Sequence, residues 1–187
     1  MAISLTMSSF SKFEAMRKNK YAVQFELIPG VGGTKDSLTI ACHTATSPQM
    51  TIAETDIHRI NDRAYLPTKA EFQTIEIGFY EFIQDDEASS ENSAGEVLWS
   101  WQKEIYNPAT GQMKPKKTIS SNMLIIQFDG NGEVVRTWNL YGAWPTTVKF
   151  DDFDAASADV QSVTATFRYD WAEQRNFPET TRETGTA

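Results

Sequence analysis

The residues best equipped for chemistry are few and poorly grouped. The chain has two histidines, His43 and His58, and one cysteine, Cys42. Neither histidine stands in a GxSxG, HExxH or Cys-His arrangement, the spacings that bring a nucleophile, a base or a zinc ligand set together. Cys42 and His43 are neighbours, so on a strand they point to opposite faces and cannot hold one ion between them. Carboxylates are plentiful in Asp85-Asp-Glu87 and in Asp151-Asp-Phe-Asp154 with Asp159, as calcium would favour, but neither run follows the DxDxDG loop pattern. Asp129-Gly-Asn-Gly-Glu133 reads as a hairpin turn. Two carboxylates in a groove can hydrolyse a glycoside, yet any acidic β protein offers such pairs. The expectation is a chain without catalytic residues, metal or cofactor.

Bulk properties narrow the class further. The 187 residues are 40% hydrophobic and 22% charged, with a formal net charge of -8. A single domain of this length buries enough surface to stand without staples. One thiol forms no internal disulfide, which points to a reducing compartment. A pI near 4.8 argues against tight binding of a phosphate backbone. No stretch of about 18 apolar residues exists to span a membrane, and the basic residues follow the weakly apolar start, the reverse of an export signal. The acidic excess is local: residues 71–105 hold nine carboxylates against Lys103 alone. Most of these read as solvated surface, but Glu76 lies mid-strand opposite Ile75 and Ile77 and lines whatever that face meets.

The elements that would position these groups are mainly strands. Residues 1–20 read as an arm in which Ser11 and Glu14 have capping-box spacing and Phe10, Phe13 and Met16 share one side of a short helix that needs a docking site. Tyr21 to Ile28 alternates as a half-buried strand, Pro29 to Gly33 turns, and Ser37 to Ala45 fits a second strand. Residues 46–70 form a long connection without a clear element, with Ile52, Ile57, Ile60, Tyr65 and Leu66 among cancelling charges. Glu71 to Phe82 alternates again, and a solvated loop follows at 85–92.

Ser93 and Glu96 open a helix whose stripe is Ala94, Val97, Leu98, Trp101 and Ile105, stopped by Asn107-Pro108. Residues 109–117 form a basic loop. Ser120 to Phe128 and Glu133 to Tyr141 form a hairpin around Asp129–Gly132, Gly142-Ala-Trp-Pro145 turns, and Thr147 to Phe150 is a short extended piece before an acidic loop. Val160 to Tyr169 alternates most regularly and is expected to pair centrally. The tail after Phe177 has no apolar periodicity and reads as mobile. The domain reading is an arm at 1–20, one β domain at 21–173 and a C-terminal extension at 174–187.

The stretch Asn139-Leu-Tyr-Gly-Ala-Trp-Pro-Thr-Thr-Val-Lys-Phe-Asp-Asp-Phe-Asp154, followed by Val163-Thr-Ala-Thr-Phe-Arg-Tyr-Asp-Trp171, resembles the tail tube proteins of contractile-tailed bacteriophages. That family shows a strand ending in G-x-W-P, an acidic connection and a last strand closing in an aromatic-Asp-Trp sequence. Tyr21-Ala-Val-Gln-Phe-Glu26, Ala41-Cys-His-Thr-Ala-Thr-Ser-Pro48 and the Trp-containing helix at 93–106 are similarly placed, so the resemblance covers about residues 20–173. The two chain ends exceed a minimal tube subunit, which leaves room for a tube-like baseplate or initiator role.

The resemblance implies a mainly β subunit, sandwich-like or barrel-like with one flanking helix. Its sheets would join in hexameric rings that stack into a tube, inside a virion tail assembled in the host cytoplasm. It implies partners: other copies of the chain, a tail sheath, baseplate or initiator proteins, and genomic DNA that passes without specific binding and without a membrane. The channel-facing candidates are Glu76, Ser162, Thr164, Thr166 and Arg168, and like charge would keep a polyanion off the wall. The subunit-interface candidates in the long connection are Ile52, Ile57, Arg59, Ile60, Arg63 and Tyr65, the arginines finding carboxylates across the contact. The inner tube of a phage-derived contractile injection system shares this reading. A different class is a monomeric carbohydrate-binding β-sandwich using Trp144 or Trp171 as a platform, Trp101 and Trp138 being read as core.

Overall fold

Burial alternates along the strands, and that alternation assembles the protein. In the computed structural model, which describes residues 16–30, 35–83 and 93–176, the chain runs β1 (Tyr21–Phe25), α1 (Lys35–Ala41), β2 (Cys42–Ala45), β3 (Met50–His58), β4 (Arg63–Phe72), β5 (Ile75–Tyr80) and α2 (Ala94–Ile105). It continues through β6 (Tyr106–Asn107), β7 (Gln112–Met113), α3 (Lys116–Ile119), β8 (Ser121–Phe128), β9 (Val134–Phe150), β10 (Ser162–Arg168) and β11 (Trp171–Asn176). Val23 and Phe25, Ile75, Ile77 and Phe79, and Val163, Ala165 and Phe167 are all turned inward, each set two residues apart on its strand.

The strands form an antiparallel path β1-β8-β9-β10-β5-β2, with β11 added to β9. β9 belongs to two layers. Residues up to Ala143 pair with β8, with β11 along the opposite edge, while Trp144 to Phe150 pair with β10. The chain bends between them at Gly142, whose φ of +65° lies in the left-handed region open to glycine. The layers meet through side chains: Phe25 of β1 lies 5.6 Å from Phe167 of β10. Trp101 of α2 wedges against both, its ring centroid 6.0 Å from Phe25 and 5.8 Å from Phe167. The mainly β, sandwich-like architecture with a flanking helix is the one expected.

α2 begins where its sequence says. The Ser93 hydroxyl accepts the Glu96 backbone N–H at 3.3 Å, and Ala94, Val97, Leu98, Trp101 and Ile105 are buried. The β8–β9 hairpin also forms as read, with the Asp129 carboxylate accepting the N–H groups of Asn131 and Glu133 at 2.8 Å each. β10 pairs on both sides and is central.

Elsewhere the structure corrects the sequence reading. Residues 35–41 are helical, and only Cys42–Ala45 is strand. The alternation of Leu38 and Ile40 suggests one strand face, but the buried pair is Leu38 with Ala41, one helical turn apart, and Ile40 is 75% exposed. The connection at 46–70 contains two long paired strands, β3 and β4. Glu71 and Phe72 belong to β4, so the expected strand at 71–82 is cut to Ile75–Tyr80. The basic loop holds β7 and the single-turn α3. G-x-W-P does not end a strand: β9 continues through it to Phe150. Asp170 donates its backbone N–H to the Tyr141 carbonyl, and β11, unforeseen as a strand, follows. The short arm helix at residues 10–16, the loop at 85–92 and the tail after Phe177 fall wholly or almost wholly outside the described residues.

Candidate functional site: an exposed hairpin and a polar sheet face

β3 and β4 pair with each other and with no other strand among the described residues. Strands of nine and ten residues reach about 30 Å at the usual rise. Every residue of β3 is exposed. The register sets Ile57 opposite Ala64 and Thr55 opposite Leu66 on one side, Asp56 opposite Tyr65 and His58 opposite Arg63 on the other, so both sides carry apolar groups. Ile52 lies opposite Ala70, and Arg59 and Ile60 sit at the tip, where Arg59 donates its N–H to the Asp62 carbonyl. Ile60 is wholly exposed and Tyr65 is 60% exposed. A two-stranded hairpin is marginal in water, and apolar groups on both sides of one call for cover.

The arginines already have partners inside the chain. Arg63 lies 3.8 Å from Asp56, Arg59 lies 3.9 Å from Asp62, and His58 shares the Asp56 carboxylate at 3.3 Å. These exposed pairs contribute little to stability, so they can exchange partners at low cost.

The second surface is the outward side of β9, β10 and β5. Thr166 lies opposite Glu76 on β5 and Thr147 on β9, Thr164 lies opposite Gly78 and Lys149, and Ser162 lies opposite Tyr80. Arg168 continues the same side of β10, so all five residues expected to line a channel share one face. At its rim the Asp151 carboxylate accepts the Ser162 hydroxyl at 2.5 Å. Gly78 is required by close approach: a Cβ there would stand 2.4 Å from Thr44 Oγ1 and 2.6 Å from the His43 ring, which packs on Tyr80. The face mixes Glu76 and Asp151 with Lys149 and Arg168, and the other described carboxylates of 71–105 lie elsewhere. Glu81 accepts the Gly95 N–H at 3.0 Å, Glu96 and Glu104 project from α2, and Glu71 lies on the hairpin.

Among the described residues the chemistry-bearing side chains do not converge. No group of three or more His, Cys, Asp or Glu that could hold a metal occurs among the described residues. Burial pushes the Cys42 thiol up to about 11 and the neighbouring Tyr21 hydroxyl up to about 12, which makes the thiol a poor nucleophile. Trp171 stacks on Tyr141 at 4.0 Å, so one face of that platform is already covered. The sequence reading passed over Trp99, half-exposed on α2 and in edge contact with Phe150; its place off the buried stripe was the available signal. No helix of the described residues is long and apolar enough to cross a membrane.

Two layers joined through one bent strand, a flanking helix and a hairpin that pairs only with itself among the described residues make up the fold. The chain superposes on a subunit of the sheath–tube complex of the extracellular contractile injection system PVC, in its extended state, with a TM-score of 0.65 and 16% identity, covering 92% of this chain and 99% of that one. Chains of the anti-feeding prophage agree in fold: one from its tube-terminating cap (TM-score 0.63, 14% identity, 94% and 96% covered) and one from its six-fold symmetrised baseplate (0.62, 15%, 88% and 97%). Residues 91–173, from the approach to α2 into β11, match the family described as T4-like virus tail tube protein gp19. No curated protein matches the chain. In fold the chain is like these contractile injection system chains, and in the sequence of residues 91–173 it is similar to the tail tube family.

Proposed function

We propose that the chain is the structural subunit of a tail tube, closing into rings, most simply hexameric, that stack around a delivery channel. The observation that carries this is the state of one sheet. The run β9-β10-β5-β2 has four strands, each antiparallel to the next, and among the described residues its outer strands, β9 from Trp144 to Phe150 and β2, pair on one side only. Three antiparallel steps leave β2 opposed in direction to β9. Rotating a copy about a ring axis therefore sets its β9 beside this β2 in the antiparallel sense, and one continuous barrel follows with no edge left over. A head-to-tail contact of this kind closes into a ring rather than a dimer.

In such a ring the face with Glu76, Thr164, Thr166 and Arg168 lines the channel, and its hydroxyls and balanced charges offer little grip to a passing polymer. The hairpin reaches a neighbouring subunit, covering Ile52, Ile57, Ile60 and Tyr65, while Arg59 and Arg63 pair across the contact. Sheath subunits surround the tube and a baseplate nucleates it, within a virion or an extracellular particle. DNA is the cargo in a phage tail. Purified protein examined over a concentration series by negative-stain electron microscopy, with sedimentation of the same samples, is expected to give hollow rings or tubes of uniform width. A strict monomer at every concentration, persisting after addition of preformed tube or baseplate seeds, overturns the proposal.

A further inference from the structure

The least explained surface of the described chain is a groove along the solvent side of α2. One section, of about 380 Å³, is lined by Trp99, Gln102, Tyr106, Met113 and Pro145, and a second, of about 320 Å³, by Glu81, Gly95, Glu96, Trp99 and Phe150. Both share Trp99, so the two sections form one trough beside the edge of β9 that pairs with no strand among the described residues. Trp99, Tyr106 and Met113 are all exposed there. Each section holds an aromatic side chain comfortably, and the walls are mostly apolar. Lys103 is the only cation among the lining residues, and it lies at the Met113 end. The Phe150 end is acidic: Glu81 and Glu96 line it, and Asp151, Asp152 and Asp154 follow Phe150.

Near the other edge of that sheet, at the start of β1 in the facing layer, a segment of opposite character leaves the fold. Residues 1–20 carry Lys12, Arg17, Lys18 and Lys20 against Glu14 alone, with Phe10, Phe13 and Met16 spaced three apart. Met16, Arg17 and Lys18 are exposed, and no ion pair involves Arg17, Lys18 or Lys20 among the described residues. The arm enters β1 at Tyr21, whose hydroxyl lies beside Cys42 of β2. Cys42 stands level with Phe79, Phe79 with Val163, and Val163 with Phe150. The arm therefore leaves β1 close to the β2 edge, at the height of the acidic end of the groove on the β9 edge.

We propose that the N-terminal arm of one subunit lies in the α2 groove of the next subunit around the ring. This rests on the ring reading above, which sets the β2 edge of one copy against the β9 edge of the next. Fifteen residues span up to about 50 Å extended, against about 5 Å between paired strands, so length is no obstacle. Polarity follows from the charges. Arg17 and Lys18 meet Glu81, Glu96 and the Asp151–Asp154 segment first, Phe13 and Phe10 continue over Trp99 toward Met113, and Glu14 is the carboxylate available to Lys103. The arm then acts as a strap that ties each subunit to its neighbour and covers the apolar trough.

The test replaces Phe13 in the full-length chain with the photoreactive p-benzoylphenylalanine. Rings isolated by sedimentation are irradiated, including rings mixed from ¹⁵N-labelled and unlabelled chains. The expected product is a covalent dimer joining the arm of one chain to a peptide within 95–113 or 144–153 of another. Arg17→Glu with Lys18→Glu is expected to lower its yield about tenfold, and Glu96→Lys to restore much of it. Rings whose crosslinks stay within one chain, or map to any other surface, overturn the strap while leaving the ring reading intact. A sample that forms no rings before irradiation overturns both, and the sedimentation record separates the two failures.

Discussion

Trp101 is the residue on which the two layers and α2 depend together, and its replacement has a magnitude that can be worked out. The side chain is fully buried, touches Phe25 of one layer and Phe167 of the other, and donates its Nε1–H to the Ile119 carbonyl at 2.7 Å. Trp101→Phe keeps a ring against both partners but leaves that buried carbonyl without a donor, a loss of about 1–3 kcal/mol. The smaller ring also leaves a void, adding about 1 kcal/mol. The expected destabilisation is therefore roughly 2–4 kcal/mol, or a Tm lower by roughly 5–15 °C for a domain of this size. Trp101→Ala removes the packing as well and belongs at about 5 kcal/mol. Trp99→Ala on the opposite side of the same helix is the control, at no more than about 1 kcal/mol. Urea unfolding followed by circular dichroism, at subunit concentrations below assembly, reads these differences as shifts in midpoint at constant slope. If Trp101→Phe falls within about 0.5 kcal/mol of the parent, or Trp99→Ala costs as much as Trp101→Ala, then Trp101 is not what holds the two layers and α2 together.

Three further outcomes are expected. Cys42 and Tyr21 hold their protons above their ordinary values of 9.0 and 10.0, chiefly because both are buried, so between about pH 9 and pH 12 the unfolded chain binds fewer protons than the folded one. Stability is then full below about pH 9 and falls as pH rises through that window; Cys42→Ala flattens the first part of the fall in urea midpoints, and an unchanged slope refutes the assignment. Gly142→Ala places a Cβ 2.5 Å from the Asp170 carboxylate at a φ of +65°, and calorimetry should show a loss of about 1–3 kcal/mol; a neutral result means that β9 can bend without a left-handed residue. Ile60→Asp at the hairpin tip leaves monomer stability within about 0.5 kcal/mol while abolishing or sharply weakening assembly by sedimentation, and normal tubes from this variant remove the hairpin from the interface.

Much of this molecule is legible in its sequence. β10 alternates because one side packs on the core and the other does not, α2 repeats every three to four residues because one stripe meets Phe25 and Phe167, and the Asp129 turn carries its own hydrogen bonds. Each is a case where burial on one side or a local hydrogen bond writes a pattern into the chain. The expectation that Glu76, Ser162, Thr164, Thr166 and Arg168 face a channel comes from alternation and from a resemblance; their common face is supplied by strand register. β3 and β4 leave no period because neither side is buried within the subunit, so their apolar residues look scattered until a partner is considered. α1 reads as a strand because over seven residues a helix and a strand offer the same apolar letters, and packing of Leu38 with Ala41 decides between them. The passage of β9 between layers, the edges of β9 and β2 that no described strand pairs with, and the groove at Trp99 exist only in the folded chain. They depend on segments far apart in sequence meeting at a particular register, which local composition does not encode.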